Sequence, residues 1–588
     1  MENAIYHPPT YFDNRYEDEW ITNELSIRII KAVDKSEVIS SHLIQSPVLG
    51  TISTKELSGS VKTLMLMAFD QSGKVFNASV CGDDCAKWIL SIGKSKDLTI
   101  NLRHIMDFGE EDFEIEEDAI ALDGVVVSAN RSETTRRMAP TLVNVVDLKL
   151  FETTNSSTLS QGLNFQPGVR VETNCQNCGF QQVRINGLDG PYTQILIDSR
   201  PVFSALSGVY GLEQIPASMI ERVEVMRGGG SALFGSSAIA GTINIITKEP
   251  LRNSGQLSHT ITSLGGSSSF DNNTSLNASL VTDDHRAGLY IFGQNRYRSG
   301  YDYDGDGFTE LPKLKNQTVG FRSYLKTSTY SKLTFEYHHM QEFRRGGDML
   351  NRPPHEAHIA EQLQHSIDGG SLKFDYFSPD EKNRLSVFAS AANTDRDSYY
   401  GPGNDPLKAY GKTTDLTAMG GAQYVHTFDK CLFMPSDLTA GLEYNRDRLK
   451  DNMWGYDRHT DQTVNIYSAF LQNEWKNERW SILVGGRLDK HNMVDNIIFS
   501  PRANLRFNPT QNINLRLSYS SGFRAPQAFD EDMHIENVGG TVAMIERAKD
   551  LKEEKSQSFS ASADMYHRFG VFQTNFLIEG FYTRLTDV

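Results

Sequence analysis

Cys175 and Cys178 stand three positions apart in VETNCQNCGFQQ, an Asn- and Gln-rich stretch that runs straight into the strand-like Gln182-Val183-Arg184-Ile185. Two chemistries suit that spacing. As a disulfide the pair would staple a short loop in an oxidising compartment. As thiolates the two would be soft ligands for copper or zinc, or an axial site for haem. The staple is preferred, because a CxxC together with its intervening Gln176 and Asn177 supplies only half of a four-ligand site. Residues able to supply the other half are present. His338, His339, Met340, Met349, His355 and His358 fall in or beside one long polar loop, and Met533 and His534 fall in another. Taken singly, each reads as an ordinary polar-loop residue.

A second constellation is YDYDGDGFTE. Asp302, Asp304 and Asp306 at alternate positions, followed by Gly307, match the first half of a calcium loop, where carboxylates surround a hard cation and glycine permits the bend. The position that carries the bidentate acid of an EF-hand is Lys313, so Glu310 would have to close the site. An acidic turn without an ion is the equal alternative, and no cofactor is required by the sequence. There is no G-x-S-x-G, no H-E-x-x-H and no phosphate-binding glycine loop, so the chain does not read as an enzyme.

The elements that must position these residues are read from composition and period. Hydrophobic residues make up 39% of the 588, and mean hydropathy is -0.42. Nowhere is there an apolar run of about 18 residues, which excludes a helical membrane protein. A transmembrane β-barrel is not excluded, since its strands alternate lipid-facing apolar and lumen-facing polar residues. A net charge of -16 argues against a nucleic-acid partner. The five cysteines are too few for a disulfide framework, but Cys81/Cys85 and Cys175/Cys178 form two close pairs that leave Cys431 alone. The opening MENAIYHPPT carries no secretory signal, so an exported chain would have lost its N-terminus or lack it here.

Four regions follow. Residues 1–115 read as a small β-rich domain, with runs at Lys62 to Phe69 and Asp97 to Ile105. Residues 116–137 are a linker that begins in an acidic patch and passes through Asp123-Gly124-Val125-Val126-Val127-Ser128-Ala129. Residues 138–250 are mixed α/β, helical near Leu148 to Leu163. Residues 251–588 repeat period-two strands of about eight to thirteen residues with aromatic ends. Tight turns such as STYSK and NPTQN alternate there with long polar connections at Gly300 to Gln317 and Gln341 to Gly369, the asymmetry of an outer-membrane barrel.

At this point the sequence resembles the TonB-dependent outer-membrane receptors and transporters. IERVEVMRGGGSALFGSSAIAGTINIITKEP, Ile220 to Pro250, is similar to the family's plug signature, with Glu221, Arg222, Glu224, Arg227, Gly228, Gly235, Gly241 and Asn244 at the matching positions. VRINGLDGPYTQILIDSRPV upstream and the Phe-Arg-Ala-Pro turn at Phe523 to Pro526 extend the resemblance from about Leu122 to the end. It implies a mainly β fold: a transmembrane antiparallel β-barrel filled by an internal plug, in a Gram-negative outer membrane. The family's barrel has about twenty-two strands. About fifteen candidates are counted here, so the barrel is expected to be C-terminally incomplete. The N-terminal region is a looser match to a small β-sandwich domain whose glycine pattern is not evident.

The resemblance also implies a mechanism. Asp123 to Ala129 looks like the energy-coupling box, a β-prone segment with no obvious partner that a TonB-type protein on the periplasmic side would pair with by strand addition. The Cys175–Cys178 loop would face outward on the plug, and the His/Met loops would be extracellular. The expected function is active uptake of a scarce metal chelate, a ferric siderophore first, with haem, cobalamin and copper behind. The lipid bilayer and the coupling protein are the expected partners, and a signalling or adhesion receptor on the same barrel is the second class.

Overall fold

The computed structural model describes residues 25–31, 37–44, 64–69, 75–81, 125–200, 207–402, 409–538, 541–548, 550–570 and 572–587. The chain divides into two units, Met1–Leu122 and Asp123–Val588. In the first, β1 (Leu25–Lys31), β2 (Glu37–Ile44), β3 (Leu64–Phe69) and β4 (Val75–Cys81) make an antiparallel sheet in the order β2-β1-β3-β4. The strand run expected at Lys62 to Phe69 coincides with β3. Asp97 to Ile105, Cys85, Asp123 and Gly124 lie outside the described residues.

The second unit opens with β5 (Val125–Val126), β6 (Thr134–Thr135) and β7 (Val143–Asp147). Where one helical segment is expected there are two short helices, α1 (Leu148–Thr153) and α2 (Leu159–Leu163). Asp147 caps α1 by accepting from the Leu150 N–H at 2.9 Å. The Thr-Asn-Ser-Ser-Thr run then stops it: Thr154 Oγ1 bonds back to the Leu150 carbonyl at 2.7 Å, and Asn155 takes a left-handed φ of 55°.

Next come β8 (Val169–Cys175), β9 (Phe180–Ile185), β10 (Thr193–Ile197), α3 (Ser207–Gln214), β11 (Ile220–Arg227), α4 (Ser231–Phe234) and β12 (Gly241–Thr247). A mixed sheet runs β10-β12-β11-β7, with β10 parallel to β12 and the other pairs antiparallel. Period two divides its faces. Val223, Val225, Ile243 and Ile245 enter a core with Ile185, Ile197 and Leu163, whereas Glu224 and Asn244, directly paired in register, point to the opposite face.

Fifteen strands form one large antiparallel sheet around this body, with β13 and the last strand as its edges among the described residues. They begin β13 (Ser254–Ser263), β14 (Phe270–Val281), β15 (Ala287–Arg298), β16 (Lys313–Ser328) and β17 (Ser331–Gly347). The wall continues through β18 (Ile359–Phe377), β19 (Asn383–Pro402), β20 (Tyr410–Cys431), β21 (Met434–Met453) and β22 (Arg458–Lys476). After β23 (Trp480–His491), β24 (Ile498–Thr510) and β25 (Ile513–Arg524), an excursion carries α5 (Asp530–Met533) and the hairpin β26 (Ile535–Val538)–β27 (Thr541–Met544). The sheet resumes with β28 (Glu554–Phe569) and β29 (Phe572–Thr586).

Alternation explains the wall. In β15, Tyr290, Phe292, Gln294, Arg296 and Arg298 are buried against the inner body, while Ile291 and Tyr297 between them are exposed. Exposed apolar residues such as Leu276, Val319, Leu372, Leu442, Val484 and Phe576 recur on the outer face of successive strands, which is the lipid-facing pattern. At one end, strands are joined by tight turns at 329–330, 432–433 and 511–512; at the other, by 299–312, 348–358 and 525–553. Several strands exceed the expected length, and β20 spans 22 residues. The expected loop from Gln341 to Gly369 shrinks accordingly to 348–358, because its polar residues continue the ladder, Gln341 pairing with Ser366 and Gly346 with Glu361. Of the alternatives in or beside that loop, His338, His339 and Met340 lie beside it, as wall residues of β17.

The inner body meets the wall at Gly346. A Cβ there would overlap the backbone carbonyl of Asn177, so the plug's Cys-Gln-Asn-Cys turn sits against bare main chain. Gly346→Ala is expected to push that turn off the wall at a cost of about 1–3 kcal/mol. Amide exchange should accelerate over residues 174–180 while the wall strands keep their protection.

Candidate functional site

The strands β8 and β9 form a hairpin, Val169 opposite Ile185 through Cys175 opposite Phe180, whose tip is the CxxC turn. The Gly179 N–H donates to the Cys175 carbonyl at 3.0 Å, and Arg344 of β17 reaches the Gly179 carbonyl at 3.4 Å. The expected staple is not formed: Cys175 and Cys178 are free thiols, and each engages a group from the wall or its loops instead. Cys175 Sγ donates to Glu361 Oε2 at 3.1 Å; Cys178 Sγ lies 3.4 Å from His534 Nε2, which lies 3.6 Å from Glu361 Oε2. Of the eight His and Met candidates, only His534 joins the pair. Glu361 was missed, because a lumen-facing acid in a polar strand has nothing in sequence to set it apart.

The rest of the candidate set goes elsewhere. His338 packs its ring against Gly369, His339 faces Asp368 at 2.8 Å, and Met340 is buried in the wall. His355 bonds the Tyr410 hydroxyl at 2.8 Å, and His358 bonds Asp348 at 2.6 Å, closing the 348–358 loop on itself. Met349 packs against the Tyr399 cluster, and Met533 against Leu449 and Ala528.

Buried charge holds the apex in place. Glu213 at the end of α3 accepts from Arg296 at 3.1 Å, Arg298 at 2.8 Å and Arg344 at 2.8 Å, and these guanidinium groups hold its carboxyl far below the usual carboxylate range against the opposing pull of burial. The excursion that carries His534 is fixed by Arg396 on Asp530 at 2.6 Å, both buried. Phe180 and Tyr400 flank the His534 ring at 5.0 and 5.4 Å between centroids. In this setting a hydrogen bond from Cys178 brings the Cys175 thiol down to about 7 against its burial, with His534 assisting. Burial, then Cys175 itself, pushes the Cys178 thiol well up. Burial works against protonated His534, but its bonds to Cys175 and Glu361 prevail and raise it to about 10.

The segment from Val125 to Ala129 lies at the short-turn end and is not a free edge. Val125 and Val126 pair with Thr135 and Thr134, and Val126, Ser128 and Ala129 are buried. The reason is Glu224. Its Oε2 accepts from Val127 N and Ser128 N at 2.9 Å each and from Ser128 Oγ at 2.7 Å, while Arg222 Nε bonds Oε1 at 3.0 Å. Asn244 adds a bond to Ser128 Oγ at 3.0 Å. Elsewhere in the signature, Glu221 is exposed, Arg227 pairs with Glu579, and Gly228 and Gly235 take φ of 82° and 85° at the turns flanking α4. Gly241 abuts the Met226 carbonyl, where a Cβ has no room.

In the loop after β15, Asp302, Asp304, Asp306 and Glu310 bring carboxylate oxygens within 4.8 Å of one another, the donor set of a hard cation. Bonds from the N–H groups of Gly305, Gly307 and Tyr303 within the same loop account for that convergence without one.

A wall of lipid-facing strands closed from inside by a mixed α/β body, with a buried segment at one end and an apical cluster at the other, defines a plugged outer-membrane receptor. The chain belongs to the TonB-dependent receptor family: residues 240–588 match the TonB dependent receptor-like β-barrel and 135–242 the TonB-dependent receptor plug domain. Residues 5–134 match a domain of unknown function (DUF4869). Among curated proteins, the chain is 24% identical over 423 residues to the vitamin B12 transporter BtuB of Vibrio vulnificus strain CMCP6, covering 69% of this chain and 64% of that one. It is 33% identical over 174 residues to BtuB of strain YJ016, 29% of this chain and 28% of that one.

Solved structures share the fold. The siderophore receptor PirA from Acinetobacter baumannii aligns with a TM-score of 0.62 at 17% identity over 76% of this chain and 78% of its own. A mutant ferric enterobactin receptor, PfeA, from Pseudomonas aeruginosa gives 0.61 at 18% over 74% and 70%. The family is one of Gram-negative outer-membrane transporters rather than enzymes, and the chain is an outer-membrane protein.

Thiol chemistry checks the apex directly. In reduced, metal-free protein, iodoacetamide should modify Cys175 with a rate that rises as pH passes about 7, where its thiolate forms, while Cys178 stays unmodified. Mass spectrometry of the alkylated peptide reads the two sites separately; equal modification of both removes the asymmetry.

Proposed function

We propose that the protein actively takes up a scarce metal-bearing nutrient across the outer membrane, driven by a TonB-type partner in the periplasm. The observation that carries this reading is the placement of two sites at opposite ends of one plug. The donor cluster at Cys175 and Cys178 lies at the long-loop end, and Val125 to Ala129 is clasped by Glu224 at the short-turn end. Short turns face the periplasm and long loops the outside in such barrels. A ligand captured outside and a pull applied inside would thus act on the same plug.

Segments held by a few hydrogen bonds are suited to release and strand addition. The neighbours' printed ligands, siderophores and vitamin B12, support a metal chelate as cargo, with a ferric siderophore first and cobalamin, haem and copper complexes after it. A signalling or adhesion receptor would bind a ligand without importing it.

Val126→Pro tests the coupling. Proline removes the N–H and fixes φ in a segment that must re-pair with the partner. Cells carrying the variant, supplied in turn with defined ferric siderophore, haem, cobalamin and copper sources, should bind the cargo at the surface but lose energised accumulation. Accumulation equal to wild type for the bound source would remove the segment from the mechanism, and surface binding without accumulation even in wild type would identify the non-transport receptor.

A further inference from the structure

We propose that Cys175, Cys178, Glu361 and His534 form a Zn2+ site whose ligands are divided between plug and barrel, so that the seated plug holds the ion and a displaced plug lets it go. The first half stands on geometry alone; the release half rests on the uptake reading above.

The donor atoms are already spaced for an ion. Bonds of about 2.0–2.3 Å in a tetrahedron put neighbouring donors about 3.3–3.8 Å apart. The three resolved separations here are 3.1, 3.4 and 3.6 Å, and all four donor atoms lie within 4.8 Å of one another. They are also sheltered. Cys178, Glu361 and His534 are buried, and Phe180, Tyr210, Leu363, Tyr400 and Met453 surround the turn with apolar surface.

Ligand type selects the ion. Two thiolates, an imidazole and a carboxylate are all accepted by tetrahedral Zn2+, whereas the carboxylate oxygen suits Cu+ poorly, since that ion favours thiolate and thioether. Of the nearby thioethers, Met533 packs on Leu449 and Ala528, and Met453 Sδ accepts from Ser398 Oγ at 3.5 Å. Four protein donors leave no open position, which is the form of a holding site rather than a catalytic one.

The consequence lies in which body each ligand belongs to. Both cysteines are on the plug hairpin, Glu361 is on wall strand β18, and His534 is on the excursion after α5, itself pinned to β19 through Asp530 and Arg396. Any movement of the hairpin away from Gly346 splits the site into a two-thiolate half and a His/Glu half, and neither half alone is a four-ligand site. Affinity for the ion is thereby tied to plug position without a dedicated hinge.

The test uses the full chain purified in detergent under reducing conditions. Zn2+ competition against a chelator should give one bound equivalent, and Co2+ in its place should show thiolate-to-cobalt charge transfer with the intense visible bands of a tetrahedral centre. That signature is read on the unaltered protein, so it does not depend on any variant folding. Affinity should fall by more than about 100-fold in the Cys175→Ser, Cys178→Ser double variant, and by about 10–100-fold in Gly346→Ala, which removes no ligand but unseats the turn. Glu361→Gln, isosteric with the native side chain, should also weaken binding, with unchanged far-UV circular dichroism as the control for folding.

Absence of Zn2+ binding, equal binding by the serine pair, a Cys175–Cys178 disulfide in protein isolated without reductant, or preference for Cu+ over Zn2+ would each overturn the assignment. Unchanged affinity in Gly346→Ala would overturn the dependence on plug position. The two readings fail separately: intact Zn2+ binding with no energised uptake in cells sinks transport alone, and energised chelate uptake without Zn2+ binding sinks the site alone.

Discussion

A strand wall with period two must put half of its side chains inward, and here many of those are arginines. Buried guanidinium groups are tolerated only with partners at hand, and unpaired they would cost several kcal/mol each. The plug supplies partners of two kinds. Carboxylates meet some of the arginines, Glu213 with Arg296, Arg298 and Arg344, and Asp198 with Arg322. Backbone carbonyls meet others: Leu233 with Arg487, Ala129 with Arg502, and Ala139 with Arg516. The plug is therefore seated by polar complementarity rather than by a continuous apolar interface. The joint apolar patches are local: Tyr290 and Phe292 join the plug core, and Leu363, Tyr400 and Met453 meet Cys178, Phe180 and Tyr210 at the apex. An interface of that kind keeps two bodies in register while leaving them distinct, because paired charges can be exchanged for water at less cost than a shared hydrophobic core.

That distinction explains what could be read from the sequence. Strand alternation after Pro250 is a one-dimensional signal, so the barrel and its count of fifteen strands were legible. The ends of the strands were not. Above the membrane a strand no longer needs an apolar outer face, so Gln341 to Gly347 reads as polar loop although it is ladder-paired with Ala360 to Ser366. His338 to Met340, read as in or beside that loop, lie in the strand that precedes it. The stretch around Val125 was legible as a β-prone run, but its clasp was not, since Glu224 lies far along the chain and acts through one buried carboxylate.

The apical site shows the same division. Cys175 and Cys178 were conspicuous because cysteine is scarce and their spacing is short. Their partners come from a wall strand and from an excursion beyond β25, and only the fold brings Glu361 and His534 to one place. A glycine at 346 carried no message in sequence, although it is the position that admits the turn.

The two ends of the plug are not joined by any single element. Val127 and Ser128 are bonded to Glu224 on β11 and Ser128 to Asn244 on β12, whereas the CxxC turn belongs to the β8–β9 hairpin, which among the described residues has no ladder to the central sheet. What connects them is packing: Val183 and Ile185 of β9 share one core with Val223 and Val225 of β11 and Ile243 and Ile245 of β12. Close-packed apolar contacts carry displacement but yield little to strain. A pull that moves β11 and β12 must therefore carry the hairpin with them or open that core. At the apex the same movement would part Cys178 and Phe180 from Leu363, Tyr400 and Met453 of the wall, so both routes open apolar packing.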